Sequence, residues 1–289
     1  MNSNEWPLVF FTLLSQISLG ILFSWLVLSL SLKNTDIPAF GDLKRVMLIA
    51  ALGSMGIALI ISFLHLALPM HSVYALSNIG SSWLSREILL ASFYLFLIVI
   101  AFISFQFNIP HRSIANYLLL AAILAGVALI WSMARVYMIP TVPLWNTPAT
   151  LVAFFNTALL LGSGATLVIL TVMLNKGLSL NVLMPVHTTL FYLLAAGVFI
   201  GLLNMLLLQP DMTVFSGSFH TPEISGLWQT GQTLFLLIGF SLITYWFAFK
   251  APAINGPISL LIYGAMACFL LSELFGRYIF YASYYRVGI

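Results

Sequence analysis

The chain has 289 residues, 62% of them apolar and only 6% charged, with a formal net charge of +3. Soluble domains carry about 25% charged residues, so a surface this poor in charge must face lipid. The small excess comes from ten basic and seven acidic groups and points neither to nucleic-acid binding nor to a basic helix lying on a membrane.

A helix needs roughly 20 apolar residues to cross a hydrocarbon core about 30 Å thick, and helices are the expected way to satisfy the backbone there. Eight runs are long enough, at about 8–32, 46–68, 88–106, 114–134, 149–174, 183–208, 228–249 and 257–282. They predict one polytopic domain over 1–289, an all-α membrane protein built as a bundle of eight transmembrane helices. The first run is expected to stay as an anchor, because the N-terminus carries Glu5 and no basic segment of the kind that opens a cleavable signal. Turn residues and most charges fill the gaps. Asp36, Pro38, Gly41, Asp42 and Lys44 follow the first run; Pro110 and Arg112 follow the third; Pro210, Asp211, Pro222 and Glu223 follow the sixth.

An even number of spans puts both termini on one side. Lys and Arg accumulate in cytoplasmic loops. The connections after helices 1, 3, 5 and 7 hold Lys33, Lys44, Arg45, Arg112, Lys176 and Lys250, against Arg86, Arg135, Arg277 and Arg286 on the other face. This six-to-four bias favours both termini outside. Asp36 and Asp42 then fall inside, and Glu5, Glu87, Asp211, Glu223 and Glu273 outside.

In chain order, the ionisable groups at span edges are His65 late in helix 2, Arg86 and Glu87 at the start of helix 3, Arg135 at the end of helix 4, and Glu273 and Arg277 late in helix 8. All are predicted at one depth, near the outer edge. Ionisable groups inside or bordering spans are costly, tend to face the bundle interior, and mark substrate or proton paths. His65 reads either as an interfacial side chain reaching for headgroups or as a ligand. A haem would need two axial histidines at matching depth. His187 lies at the opposite edge, and His71, His111 and His220 lie in loops, which disfavours haem. A quinol site needs an apolar cleft, a hydrogen-bond partner for the hydroxyl and a group titrating near neutrality; histidine meets the last two needs. Glu87 is the natural relay for the released proton.

Arg135 heads Arg-Val-Tyr137 and reads either as a headgroup anchor beside an aromatic belt or as a charge partner for Glu87 or Glu273, or a docking contact. Glu273 and Arg277, four apart on one helix face, can form a local ion pair. Gly162 and Gly164 fit close helix approach, and Trp6, Trp83, Trp145 and Trp228 fit interfacial anchoring. Cys268 is the only cysteine, so the chain makes no internal disulfide and binds no iron–sulfur cluster. Phosphate loops, metal-ligand pairs at helical spacing and nucleophile–base motifs are missing from the sequence. A transporter, with polar sites near the midplane, and a purely structural anchor remain the alternatives; the span centres carry almost no charge.

Several ordered motifs resemble a known family. They are Asn-Glu-Trp-Pro7 with Gln16, His65-Leu-Ala-Leu-Pro-Met70, Gly80 with Leu84-Ser-Arg-Glu-Ile88, Trp131 with Arg135-Val-Tyr137, Thr141-Val-Pro143 with Trp145, and Glu273-Leu-Phe-Gly-Arg277 with Phe280-Tyr281. Together they run along nearly the whole chain and are similar to the membrane-anchor subunit of bacterial anaerobic dimethyl sulfoxide reductase, the DmsC family. His71, where arginine often follows Pro-Met in that family, and Ser77-Asn78 depart from the pattern. The resemblance implies a multi-pass protein of the bacterial inner membrane with both termini periplasmic. It implies two partners, a ferredoxin-like subunit with four 4Fe–4S clusters and a molybdopterin catalytic subunit. It implies menaquinol as substrate, oxidised near the outer face without haem in this chain. His65 is expected to bind quinol and accept a proton, with Glu87 as relay. Arg86, Arg135, Tyr137, Glu273 and Arg277 are expected to shape the site or dock the partner.

Overall fold

A computed structural model describes residues 6–31, 40–65, 76–107, 112–175, 183–208, 226–249, 257–284 and 286. Among these residues, eight helices are long and apolar enough to cross a membrane. They are α1 (Trp6–Ser31), α2 (Phe40–His65), α3 (Trp83–Gln106), α4 (Arg112–Tyr137), α5 (Pro148–Asn175), α6 (Leu183–Leu203), α7 (Gly226–Ala248) and α8 (Pro257–Ala282). A 3-10 turn, Leu76–Asn78, precedes α3, and a π-helix, Asn204–Leu208, continues α6. The all-α, eight-helix expectation holds.

Two helices form the axis of the bundle. In their most apolar stretches, 61% of α1 and 67% of α5 is buried, against 22% for α7. Helix α1 packs on α2, α4, α5 and α6, while α5 packs on α1, α2, α4, α6 and α8. Lipid tails are as apolar as leucine, so helices associate here through close packing and hydrogen bonds. The α1–α5 crossing shows how. A Cβ on Gly20 would collide with the backbone of Ala158 and Gly162, and a Cβ on Gly162 with the backbone of Gly20. Backbone cannot step aside as a side-chain tip can, so both positions require glycine.

Hydrogen bonds pin the first three helices. Ser18 on α1 donates to the Ala51 carbonyl on α2 at 2.7 Å. Its one proton is then committed, so the fully buried Tyr94 hydroxyl on α3 donates to Ser18 at 3.0 Å.

The helix starts differ from the apolar runs in two informative places. Helix α2 begins at Phe40, so Asp42, Lys44 and Arg45 are helical. Lys44 was expected in an inner connection. It is instead buried, donating to Asn116 Oδ1 at 2.8 Å and lying 4.8 Å over the Phe105 ring and 5.9 Å from the Trp25 ring. A long alkyl stem and two aromatic faces make that burial tolerable. Helix α3 begins at Trp83, capped by the Ser82 hydroxyl, which accepts from Ser85 N–H. This draws Arg86 and Glu87 into its first turns.

Replacing Gly162 with leucine should push α1 and α5 apart and lower the thermal midpoint of the detergent-purified protein, by a cost of at least about 1–3 kcal/mol for overpacking. Gly53, with nothing within 4 Å of its would-be Cβ, provides the contrast: Gly53→Ala should leave the midpoint unchanged or slightly raised.

Candidate functional site

The described groups expected at the site lie at one end of the bundle, the end carrying the α4–α5 connection. That connection is built from the sequence between Tyr137 and Pro148. Turns bonded Val142 N–H to Ile139 O and Trp145 N–H to Val142 O fold it back over the helices, burying Val142, Leu144 and Trp145. Trp145 was expected as an interfacial anchor. It is 8% exposed and donates its indole N–H to the Phe280 carbonyl at 2.7 Å. The reason is the chain reversal: an indole tucked beneath it satisfies its N–H on a helix end that has spare carbonyls. Trp83 and Trp228 also meet partners, Trp83 beneath Arg86 and Trp228 stacked on Tyr278.

Tyr137 is the hub. Its hydroxyl lies 2.7 Å from that of Tyr281. Its ring meets Trp145, Phe154, Phe280 and Tyr281 at centroid distances of 5.4–5.7 Å, the range of favourable tilted and edge-to-face contacts. Glu87 and Arg277 both act electrostatically on its hydroxyl. Tyr137 therefore joins the α3–α4 side of the site to the α5–α8 side.

On the first side stand the charges of α3 and α4. Glu87 is 7% exposed and has no hydrogen bond or ion pair among the described residues. Arg86 is fixed by the turn before α3, donating to the carbonyls of Ile79 at 2.8 Å and Gly80 at 2.7 Å. Its guanidinium lies 4.3 Å from the Trp83 ring, and that of Arg135 lies 5.3 Å from the same ring. One indole thus meets two cations, one helical turn before the buried Glu87. His65 is the last residue of α2; its side chain lies outside the described residues, as do Glu5, His71, His111, His220, Asp211 and Glu223 and the side chain of Arg112.

On the second side, Arg277 is 4% exposed. It donates to Gln16 Oε1 on α1 at 2.8 Å, lies 4.1 Å over the Phe154 ring, and reaches the Thr157 hydroxyl at 3.4 Å. Thr157 in turn lies 2.7 Å from Glu273 Oε2. The i,i+4 pair of α8 is therefore bridged through α5, and its partners come from two helices, α1 and α5. Beside it is a cavity of about 120 Å³ lined by residues of α5, α6, α7 and α8, with Phe154 and Phe280 on the wall shared with Tyr137.

Sequence reading missed Thr157, Asn156 and Asn204. Asn156 and Asn204 are buried on this cavity, and their amide oxygens find no hydrogen-bond partner among the described residues. A signal existed: each is an uncharged amide inside an apolar run, and polar residues within spans face the bundle or a cavity. His187, at the opposite end, is buried with its ring edge-on to Trp246 at 4.9 Å. Among the described residues no three His, Cys, Asp or Glu side chains gather as a metal site.

The sequence model of a family described as DMSO reductase anchor subunit (DmsC) matches residues 1–283. The protein is similar to the C subunit of anaerobic dimethyl sulfoxide reductase from Escherichia coli (strain K12), 27% identical with 99% of this sequence and 97% of that protein covered. It is similar to the YnfH subunit of an anaerobic dimethyl sulfoxide reductase from the same organism, 28% identical with 99% and 97% covered. It is also similar to the C subunit of the Haemophilus influenzae anaerobic dimethyl sulfoxide reductase, 33% identical over 168 residues, covering 55% of this sequence and 56% of that one. With eight apolar helices and a family match over nearly its full length, the protein belongs to the DmsC family of membrane-anchor subunits of DMSO reductase.

Proposed function

We propose that this protein anchors a periplasm-facing molybdopterin reductase of the dimethyl sulfoxide reductase type in the bacterial inner membrane and oxidises menaquinol for it. In this reading the α4–α5 end faces the periplasm, with both termini on that side. Quinol gives two electrons and two protons. The electrons leave for a ferredoxin-like subunit with four 4Fe–4S clusters, docked over the same end, and pass to the catalytic subunit. The terminal acceptor is set by that catalytic subunit.

One observation carries the reading: in a bundle otherwise poor in charge, Glu87 is a buried carboxyl one turn after Trp83, the ring that both Arg86 and Arg135 meet, at the end where α2 closes on His65. A carboxylate kept from water is costly, and a group that takes up and passes on a proton gives that cost a use. His65 would bond the quinol hydroxyl and take its proton; Glu87 would pass it outward. Arg86, fixed by two carbonyls, and Arg135, on the far side of Trp83, would hold the carboxyl's surroundings positive and meet an acidic partner surface. The polar groups around the cavity reach inward only as far as Thr157 and Ser272, which speaks against a transport path through the whole membrane.

His65→Ala and Glu87→Gln should each lower quinol-dependent turnover by roughly 10²-fold or more, the range expected for loss of a positioned proton acceptor. Assembly and turnover with a soluble artificial donor should persist; unchanged quinol rates in both variants would remove these residues from the mechanism. Arg135→Glu should act differently. It should weaken retention of the iron–sulfur subunit during purification, with the wild-type and variant difference shrinking as salt shortens the Debye length from about 10 Å at 0.1 M.

A further inference from the structure

The cavity between α5, α6, α7 and α8 is polar for a place inside a membrane bundle. Asn156 is 6% and Asn204 7% exposed, and both side chains present amide oxygens with no partner among the described residues; the half-buried Thr147 hydroxyl is in the same state. Asn204 also opens the π-helix that continues α6, a distortion frequent at functional sites. Gly201 and Gly276 keep the space open, since a Cβ there would meet Asn156 Nδ2 at 3.1 Å and Gln232 Nε2 at 2.5 Å. Buried polar atoms are normally satisfied by protein or by water. A buried water needs about 10–15 Å³ and two to four polar partners, so about 120 Å³ holds a cluster.

The cavity also has a direction. Thr147 and Ser283 flank α5 and α8 at the end of the bundle, while Thr157 and Glu273 each lie nine residues inward from Pro148 and Ala282, roughly 13 Å at 1.5 Å per residue. A titratable carboxyl therefore stands at the inner limit of a polar chamber that leads to the helix ends. Around it Arg277 contributes the only charge among the described lining residues; α5 contributes Thr157 and Asn156, α6 Asn204, and α7 Gln229 and Gln232.

We propose that this chamber is a hydrated proton-release compartment in which Glu273 is a second proton acceptor, separated from Glu87 by the plate of Tyr137, Phe154 and Phe280. It rests on the quinol-oxidising reading above, in which each quinol yields two protons. Glu87 serves one; the other passes to the Glu273 carboxylate, forming an O–H bond there, and then to chamber water. Thr157 and Arg277 are positioning residues that hold the carboxylate. No electron moves in this step.

Two measurements on the intact complex test it. Hydroxyl-radical footprinting without quinol should label Met205 and Phe280 in the chamber, and Asn156→Leu with Asn204→Leu should suppress that labelling. Full protection of both residues in the wild type would overturn the proposal whether or not quinol is the substrate. Glu273→Gln should lower quinol-dependent turnover roughly hundredfold and remove a carboxyl C=O band from the infrared difference spectrum between reduced and oxidised complex. If Glu273→Gln fails to assemble, Glu273→Asp should keep turnover and shift that band. Wild-type turnover in Glu273→Gln, or a band insensitive to both substitutions, would overturn the assignment. A chamber that labels in a complex unable to oxidise quinol would instead sink the quinol reading and leave the hydration standing.

Discussion

The cost of holding charge in hydrocarbon organises this protein. A charged side chain at the centre of a span costs about 2.5–3.5 kcal/mol on insertion scales, and the protein responds by keeping its charges at the ends of its helices. Where an ionisable group does go inside, the structure surrounds it. Lys44 has an amide oxygen and two aromatic faces at one end. Arg277 has Gln16, Thr157 and the face of Phe154 at the other. Two groups lack such a surround: Glu87 has no hydrogen-bond partner among the described residues, and neither has His187 Nε2. Burying an ionisable group is costly, and such costs are concentrated where they serve function.

The same end of the bundle combines rigidity with polarity. Backbone contact at Gly20 and Gly162, midway along both helices, locks α1 to α5, and nearer the site end the Arg277–Gln16 and Glu273–Thr157 bonds tie α8 to that pair. The aromatic plate around Tyr137 then closes the gap between α4, α5 and α8. Two carboxyls, Glu87 and Glu273, are thereby held in separate surroundings, Glu273 against Thr157 on the cavity and Glu87 at the start of α3. Such an arrangement suits a two-proton reaction, because each carboxyl can change charge without the other directly beside it.

Much of the architecture was legible before any coordinates. Eight apolar runs of sufficient length leave few alternatives to eight helices, since the bilayer forbids irregular backbone. The edge charges were legible too, because charge is rare enough in this sequence for each instance to stand out. What escaped was whatever depended on a distant partner. Gln16 and Arg277 are 261 residues apart, and no local pattern announces their bond. Gly162 was legible as a place of close helix approach, but its partner Gly20 was not, because only the fold lays one backbone on the other. Asn156 and Asn204 carry no charge and share no spacing, so only the cavity brings them together. Lys44 misled for a physical reason: a lysine next to a turn looks like a loop residue, yet its stem is long enough to be buried from a helical position. Trp145 misled because an indole at a span edge serves equally as a lipid anchor or as the lid of a folded connection.

The proposed function puts a quinol head at the end of α2 and the start of α3. Photolabelling of the intact membrane-bound complex with a short-chain azido-quinone, followed by peptide mapping, locates it directly. Labels confined to the end of α2, the first turns of α3 and the stretch around Arg135 and Tyr137 are the predicted result. Labels clustered at the opposite end, around Lys44, Asn116 and His187, would contradict it.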